Sequence, residues 1–514
     1  MLLLIFVLLI VILLANPVNT GLIGQMVGST GLMTEYFMWA NYGMAIGMAA
    51  AIPLVMRVKS RFRSKEIMIG SLVIMAFLSF VIATTNSPEV IVVSGLIYGM
   101  AKMFGMIEVI IPMMFIISPK GDRGKFYSIF YPLVIILAQL GGLTTSMFSL
   151  NVGWQLVHFY TAAILLVLAL VCVIFMHNQR FARKMPLYQM DWLSIILFTG
   201  SLMGMAYVLA FGKQQAWFLS ISITYTAISS IVLFVWLIFR QQNKKRPYLT
   251  FGFFKKSGIK VSFLLLAGLG VFMAAGYVQS VYTNAILGYN WMTNSTLGLM
   301  TIPGIVIAGF AGFHWTKNKL PLKMFIFAGF AAYILCLVTL YFMMVPGLNI
   351  ESFFLPQMLN GFGMTTLFIA LWIYAMDNIP QADILTSIGV ILVFRTFFVT
   401  AFFSALFGWL HYKFQWQSVQ NLSVFFDGSL MNNNPGIGGY GSVQLSAILA
   451  ANKTLLGYII IAGIGLLTFI LFHHFGELKF KIARFKVKYS IQTRGRKKVT
   501  YVPEMVEDVA GAVS

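Results

Sequence analysis

The sequence predicts an all-α polytopic membrane protein, and three observations carry that expectation. Of its 514 residues, 59% are hydrophobic and only 10% are charged. A soluble chain carries about 25% charged residues, so this one lacks the polar groups to cover a surface in water. Apolar runs of about 20 residues recur along the chain, the length that crosses a hydrocarbon core about 30 Å thick. The runs are continuous, whereas barrel strands alternate apolar and polar residues over about 10 positions. Backbone groups in lipid must bond to one another, so each run is read as a helix.

Taken in order, the runs place spans near 2–24, 35–56, 66–84, 90–117, 126–149, 153–176, 192–211, 216–239, 260–283, 294–314, 323–345, 352–375, 384–410 and 454–475, which makes 14. The longest predicted loop is 412–453, rich in Asn and Gly (Asn432, Asn433, Asn434, Gly436, Gly438, Gly439). An even count puts both termini on one side. Loops assigned to that side hold 30 of the 35 basic residues, among them Arg57, Lys59, Arg61, Arg63, Lys65, Lys120, Arg123, Lys125 and nine in the tail. The other side has Lys213, Lys413 and Lys453. Basic loops stay in the cytoplasm, so both termini are expected there. One inside loop, 376–383, departs from this with Asp377 and Asp383 and no basic residue. Residues 2–15 also have the apolar core of a signal peptide. No Lys or Arg precedes them and no clear small-residue cleavage site follows, so a retained span is expected.

The same pattern excludes function classes. The net charge of +21 sits in short clusters between spans rather than on a nucleic-acid-binding face. No phosphate loop, H-E-x-x-H, C-x-x-C or G-x-S-x-G is present, so neither a single-chain ATP pump nor an enzyme is expected, and no cofactor or metal. His473 and His474 are adjacent and diverge by about 100° on a helix, which suits an interfacial pair better than a metal site. Cys172 and Cys336 both lie inside apolar runs.

Ionisable residues inside spans are costly and usually functional. Lys102 and Glu108 fall in span 4 and Arg395 in span 13. A carboxylate in low dielectric has a raised pKa and can load and release a proton near neutral pH. Glu108 is therefore the foremost proton-coupling candidate, with Glu35 at the outer end of span 2 as a second. The plainer reading of Glu108 is a buried ion pair with Lys102 or Arg395. Those two cations are read as midplane charge partners or as substrate contacts. Asn284, Gln279 and Gln357 are polar candidates for a cavity wall. Gly95–Gly99, Gly268–Gly270 and Gly361–Gly363 let helices approach closely, and Pro112, Pro303 and Pro356 lie inside spans where kinks are tolerated.

These residues together resemble a known family. Asp122-Arg123 between spans 4 and 5 is followed by Gly141-Gly142, Trp154 and Phe159. Asp191-Trp192 opens span 7 and Trp217 opens span 8. Arg246-Pro247-Tyr248-Leu249 with Phe253-Phe254 precedes span 9, and Tyr282-Thr283-Asn284, Gly288-Tyr289, Gly298 and Pro303 follow it. In order and spacing the chain resembles the 14-span drug:proton antiporters of the major facilitator superfamily, the EmrB/QacA-type exporters. It departs from their pattern at several places. Lys59 stands near an Asp position of the first cytoplasmic loop, Gly142 where Pro is typical, and Lys102 near a span-4 Arg.

The resemblance implies a fold and a function. An N-terminal six-helix bundle over 1–184 would be followed by two extra helices over 185–258, a C-terminal six-helix bundle over 259–476 and a basic cytoplasmic tail over 477–514. It implies proton-coupled export of small amphiphilic compounds across the inner membrane, energised by the proton gradient, with a periplasmic adaptor as partner. Two rivals stand beside it. An organic-anion transporter would use Lys102 and Arg395 as midplane cations. A non-transporting scaffold or sensor would keep only the fold.

Overall fold

The computed structural model describes residues 2–19, 21–119, 122–178, 190–244, 247–249, 252, 257–377, 379, 384–423, 436–473 and 475. The expected basic tail over 477–514, with Lys120, Arg246, Phe253, Phe254, Asp383, Asn432, Asn433, Asn434 and His474, lies outside the described residues. The described chain is all helical. It opens with α1 (Leu2–Leu14), α2 (Ile23–Thr30), α3 (Thr34–Arg61), α4 (Ser64–Thr84), α5 (Pro88–Ile117), α6 (Arg123–Val152) and α7 (Trp154–Phe175). Next come α8 (Trp192–Phe211) and α9 (Ile221–Asn243). The second half has α10 (Ser257–Ala274), α11 (Gly276–Val281), α12 (Trp291–Leu299), α13 (Ile302–Lys317), α14 (Leu322–Met343), α15 (Phe354–Asp377), α16 (Ile384–Val393), α17 (Thr400–Ser423) and α18 (Gly436–Phe472).

Thirteen of the described helical segments are long and apolar enough to cross a membrane, beginning at Thr34. The expected first span is broken. α1 has 13 residues, about 20 Å of helix against a core of about 30 Å, and Ala15–Asn19 and Gly21–Leu22 lie outside the helix before α2. The long loop expected over 412–453 is also shorter than that. α17 continues to Ser423 and α18 starts at Gly436, because polar residues such as Gln415, Gln417 and Gln420 extend a helix as readily as they end one.

The two halves repeat one packing scheme. α3 packs on α5 as α13 packs on α15, α4 on α7 as α14 on α18, and α1 on α5 as α10 on α15. The closest approaches are made by glycine: a Cβ at Gly99 would strike the Met44 carbonyl of α3, and one at Gly304 the Met358 carbonyl of α15. Without a hydrophobic force between helices in lipid, such backbone contact supplies the dispersion energy that holds them. Both bundles also cap a closing helix with a lysine. Lys65, at the start of α4, donates to the Val173 carbonyl near the end of α7. Lys323, at the start of α14, donates to the Leu471 carbonyl near the end of α18 at 2.6 Å. A cation at a helix C-terminus meets the negative end of its dipole.

The bundles meet along α6, which packs on α12 and α13, and along α3, which packs on α16. Ser146 and Ser295 hydroxyls are 3.1 Å apart near the C-terminal end of α6, and Gly124 lies beside Thr316 at its N-terminal end. The start of α6 is fixed by Asp122, whose carboxylate accepts from the Gly124 and Lys125 amides at 3.0 and 3.3 Å. The pair α8 and α9 stands outside the repeat and leans on α3 and α17.

Candidate functional site

Arg395 is held by an irregular turn. Between α16 and α17 the helix widens into a π turn over Phe394–Val399, a form common at functional positions. The widened turn carries Arg395 into the seam between bundles, where it is 9% exposed. Its guanidinium carbon lies 4.3 Å from the Phe368 ring centroid, 5.5 Å from Trp372 and 5.9 Å from Tyr131. Phe368 and Trp372 belong to α15 of the second bundle and Tyr131 to α6 of the first. Cation–π attraction stabilises a guanidinium at such distances, more so when it is desolvated. No carboxylate forms an ion pair with Arg395 among the described residues, and its buried Nε has no hydrogen-bond partner.

Glu108 is bound elsewhere. Its carboxylate meets Lys59 Nζ at 3.1 Å, with both side chains 4% exposed. The sequence reading expected Lys102 or Arg395 as partner and missed Lys59, which sat in a run of five basic residues read as a loop. α3 runs on to Arg61, so Lys59 is on a helix and turns toward α5 instead of water. Its departure from the resembled loop pattern was the available signal.

Lys102 answers the break in the first span. Its ammonium donates to the Leu13 carbonyl at 3.1 Å, the Ala15 carbonyl at 2.9 Å and Asn16 Oδ1 at 2.7 Å. Three donors thus meet three acceptors, and the cation sits at the C-terminal end of α1, where unpaired carbonyls need donors. The three intramembrane charges therefore do not form one cluster; each has its own surroundings.

The other predicted positions scatter. Glu35 accepts from Gln214 at 2.7 Å, which ties α3 to the loop after α8. Asn284 accepts from Asn294 at 2.6 Å across the turn between α11 and α12. Gln357 is buried on α15 and accepts from Asn360 at 3.5 Å. Gln279 lines a cavity of about 120 Å³ inside the second bundle, with Asn360, Phe272, Tyr333 and Met364. That volume is below the 300–1,000 Å³ of typical small-molecule pockets. Gly141 lets Leu14 of α1 pack against α6, while Gly142 faces open space. No group of metal-ligating side chains occurs among the described residues.

A polar network beneath the two extra helices had shown only as sequence motifs. Asp191 accepts from Arg240 Nη2 at 2.8 Å and from the Ser194 hydroxyl at 2.6 Å, with Lys244 at 3.9 Å. Burial pushes the Asp191 carboxyl up, but the hydrogen bonds from Arg240 and Ser194 and the charges of Arg240 and Lys244 outweigh it and hold the group below the usual carboxylate range. Gln241 accepts from the Tyr248 and Leu249 amides at 2.6 and 3.1 Å. The Tyr248 hydroxyl donates to the Ala50 carbonyl of α3 at 2.7 Å, which docks the linker on the first bundle.

Comparison with known proteins agrees with this architecture. The "Probable multidrug resistance protein EmrY" of Escherichia coli (strain K12) is 18% identical over 375 residues, 72% of each chain. "MFS transporter L2" of Phoma sp. (strain ATCC 20986 / MF5453) is 23% identical over 288 residues, 55% of this chain and 46% of that one. Among solved structures, a bacterial homolog of the human lysosomal transporter Spinster gives a TM-score of 0.54 at 12% identity, over 91% of this chain and 96% of that one. The human organic anion transporter MFSD10 gives 0.51 at 13% identity, over 90% and 98%. These likenesses are of fold. The family model described as Major Facilitator Superfamily matches residues 1–398, and with its two packed helical bundles the chain belongs to that superfamily of multi-pass membrane transporters.

Proposed function

We propose that this protein is a secondary exporter of small amphiphilic compounds across the inner membrane, driven by proton entry. The observation that carries the reading is the seam at Arg395, where Tyr131 of one bundle and Phe368 and Trp372 of the other surround one buried cation. Rocking of one bundle against the other would open and close such a seam, and substrate sites in transporters of this build lie at the interface of their repeats. The ordered motifs and the distant similarity to a probable multidrug resistance protein support an amphiphilic cargo moved outward.

In this reading residues 2–24, which begin with α1, make the first of 14 crossings and both termini are cytoplasmic. Glu108 is the coupling site. A proton on its carboxylate would cancel the negative charge that Lys59 meets on α5, which weakens the junction of α3 and α5 and favours the alternative packing. The test is dye efflux from proteoliposomes with an imposed pH gradient. Efflux that collapses with an uncoupler, and that Glu108→Gln abolishes while dye binding persists, supports the reading. Proton-dependent efflux by Glu108→Gln at the wild-type rate would remove Glu108 from the coupling role.

A further inference from the structure

Arg395 is a desolvated cation with an unused donor. A guanidinium offers five N–H groups and cannot be deprotonated in a protein. Burying it without a carboxylate is unfavourable unless something compensates. Three ring faces and a side-chain hydrogen bond with Tyr131 compensate in part, yet Nε remains unpaired. The π turn adds a second observation, because it interrupts regular helix at the turn that bears this residue. The other buried cations differ. Lys102 has its three acceptors and Lys59 has Glu108. Arg395 is thus the one of these three whose donor set is left open, and it lies on the seam that the proposed transport cycle opens.

We propose that Arg395 and the rings of Tyr131, Phe368 and Trp372 form a subsite for an organic anion with an apolar body. It rests on the exporter reading above and names its substrate class. A carboxylate or sulfonate accepts from the guanidinium fork, and the apolar body lies among the rings. A planar fork matches two oxygens of such a group in a way that an ammonium does not. An anionic lipid presents the same chemistry, so the experiment includes one.

The test measures binding of naphthalene-1-sulfonate and its neutral sulfonamide to the purified full-length protein in detergent, for wild type and Arg395→Lys. Wild type is expected to prefer the sulfonate by roughly tenfold or more, and Arg395→Lys to lose most of that preference while binding the sulfonamide as before. Equal wild-type affinities overturn the proposal without reference to any variant. Full sulfonate affinity in a folded Arg395→Lys protein also overturns it. Displacement of the sulfonate by phosphatidylglycerol at equal concentration would assign the subsite to lipid and overturn it as a substrate site. Efflux of a neutral dye by the same preparation reports the exporter reading separately. Efflux without anion preference sinks only the subsite, and anion preference without efflux sinks only the exporter.

Discussion

Glu108 and Lys59 are a buried pair, and a buried pair is sensitive to the loss of either member. Removing one partner of a buried pair destabilises by about 3–5 kcal/mol, whereas removing both is far milder. Glu108→Gln and Lys59→Met should each lower the unfolding temperature in detergent, and the double variant should recover most of the loss. If the double variant regains stability but not proton-dependent efflux, the coupling role of Glu108 is separated from its structural one. Lys102 has a different test. Lys102→Met would orphan the carbonyls of Leu13 and Ala15 at the break after α1, at about 1–3 kcal/mol for each buried acceptor. A variant as stable as wild type would show that water takes the place of the ammonium. Glu108, Lys102 and Arg395 stood out in the sequence because charge is rare in an apolar run. Their partners did not: Lys59 was hidden among other basic residues, and backbone carbonyls have no letter in a sequence.

Most helices were visible as apolar runs, because length and hydropathy are all that a lipid-facing helix must satisfy. Extensions were not visible, and the break after α1 was only half legible: Asn16, Pro17, Asn19 and Gly21 disfavour a continuous helix, but nothing marked Lys102 as the donor that meets the freed carbonyls there. The widened turn at Phe394–Val399 has no composition signal either. Asp191-Trp192 and Tyr248-Leu249 were legible as motifs, and the structure supplies their physical reason in one network that joins α8, α9, the linker and α3. Its Asp191 carboxyl is held low, so its contribution to stability is present above the ordinary carboxylate range near pH ~4 and is lost as pH falls through the depressed value. Asp191→Asn should therefore unfold at a lower temperature than wild type at pH 7. The gap should narrow as pH falls below about 4, in thermal melts followed across that range. A gap constant with pH would show that the hydrogen bonds matter and the charge does not.

At the scale of the whole molecule, the repeat is the main constraint on how the protein can move. Each bundle is knit by glycine contacts and closed by a lysine cap, so each is expected to move as a unit. The seam is different in kind. Its contacts at the two ends of α6 are small residues and hydroxyls, Ser146 with Ser295 and Gly124 with Thr316, while the rings of Tyr131, Phe368 and Trp372 meet between them. Ser146 of α6 and Ser295 of α12 mark one end of that seam, with hydroxyl oxygens 3.1 Å apart. Cysteines placed at both positions are close enough to be joined by an oxidant, and the native Cys172 and Cys336 are buried and should not compete. If transport requires the bundles to separate at this end, the oxidised Ser146→Cys, Ser295→Cys protein should lose dye efflux and regain it on reduction, while each single variant transports normally. Binding measured on the cross-linked protein then locates the entrance. Retained binding means that substrate reaches the Arg395 seam from the Gly124 and Thr316 end, and lost binding means that it enters past Ser146. Unchanged efflux by a fully cross-linked protein would rule out opening at this end of α6 and with it the rocking of these two bundles as the transport motion.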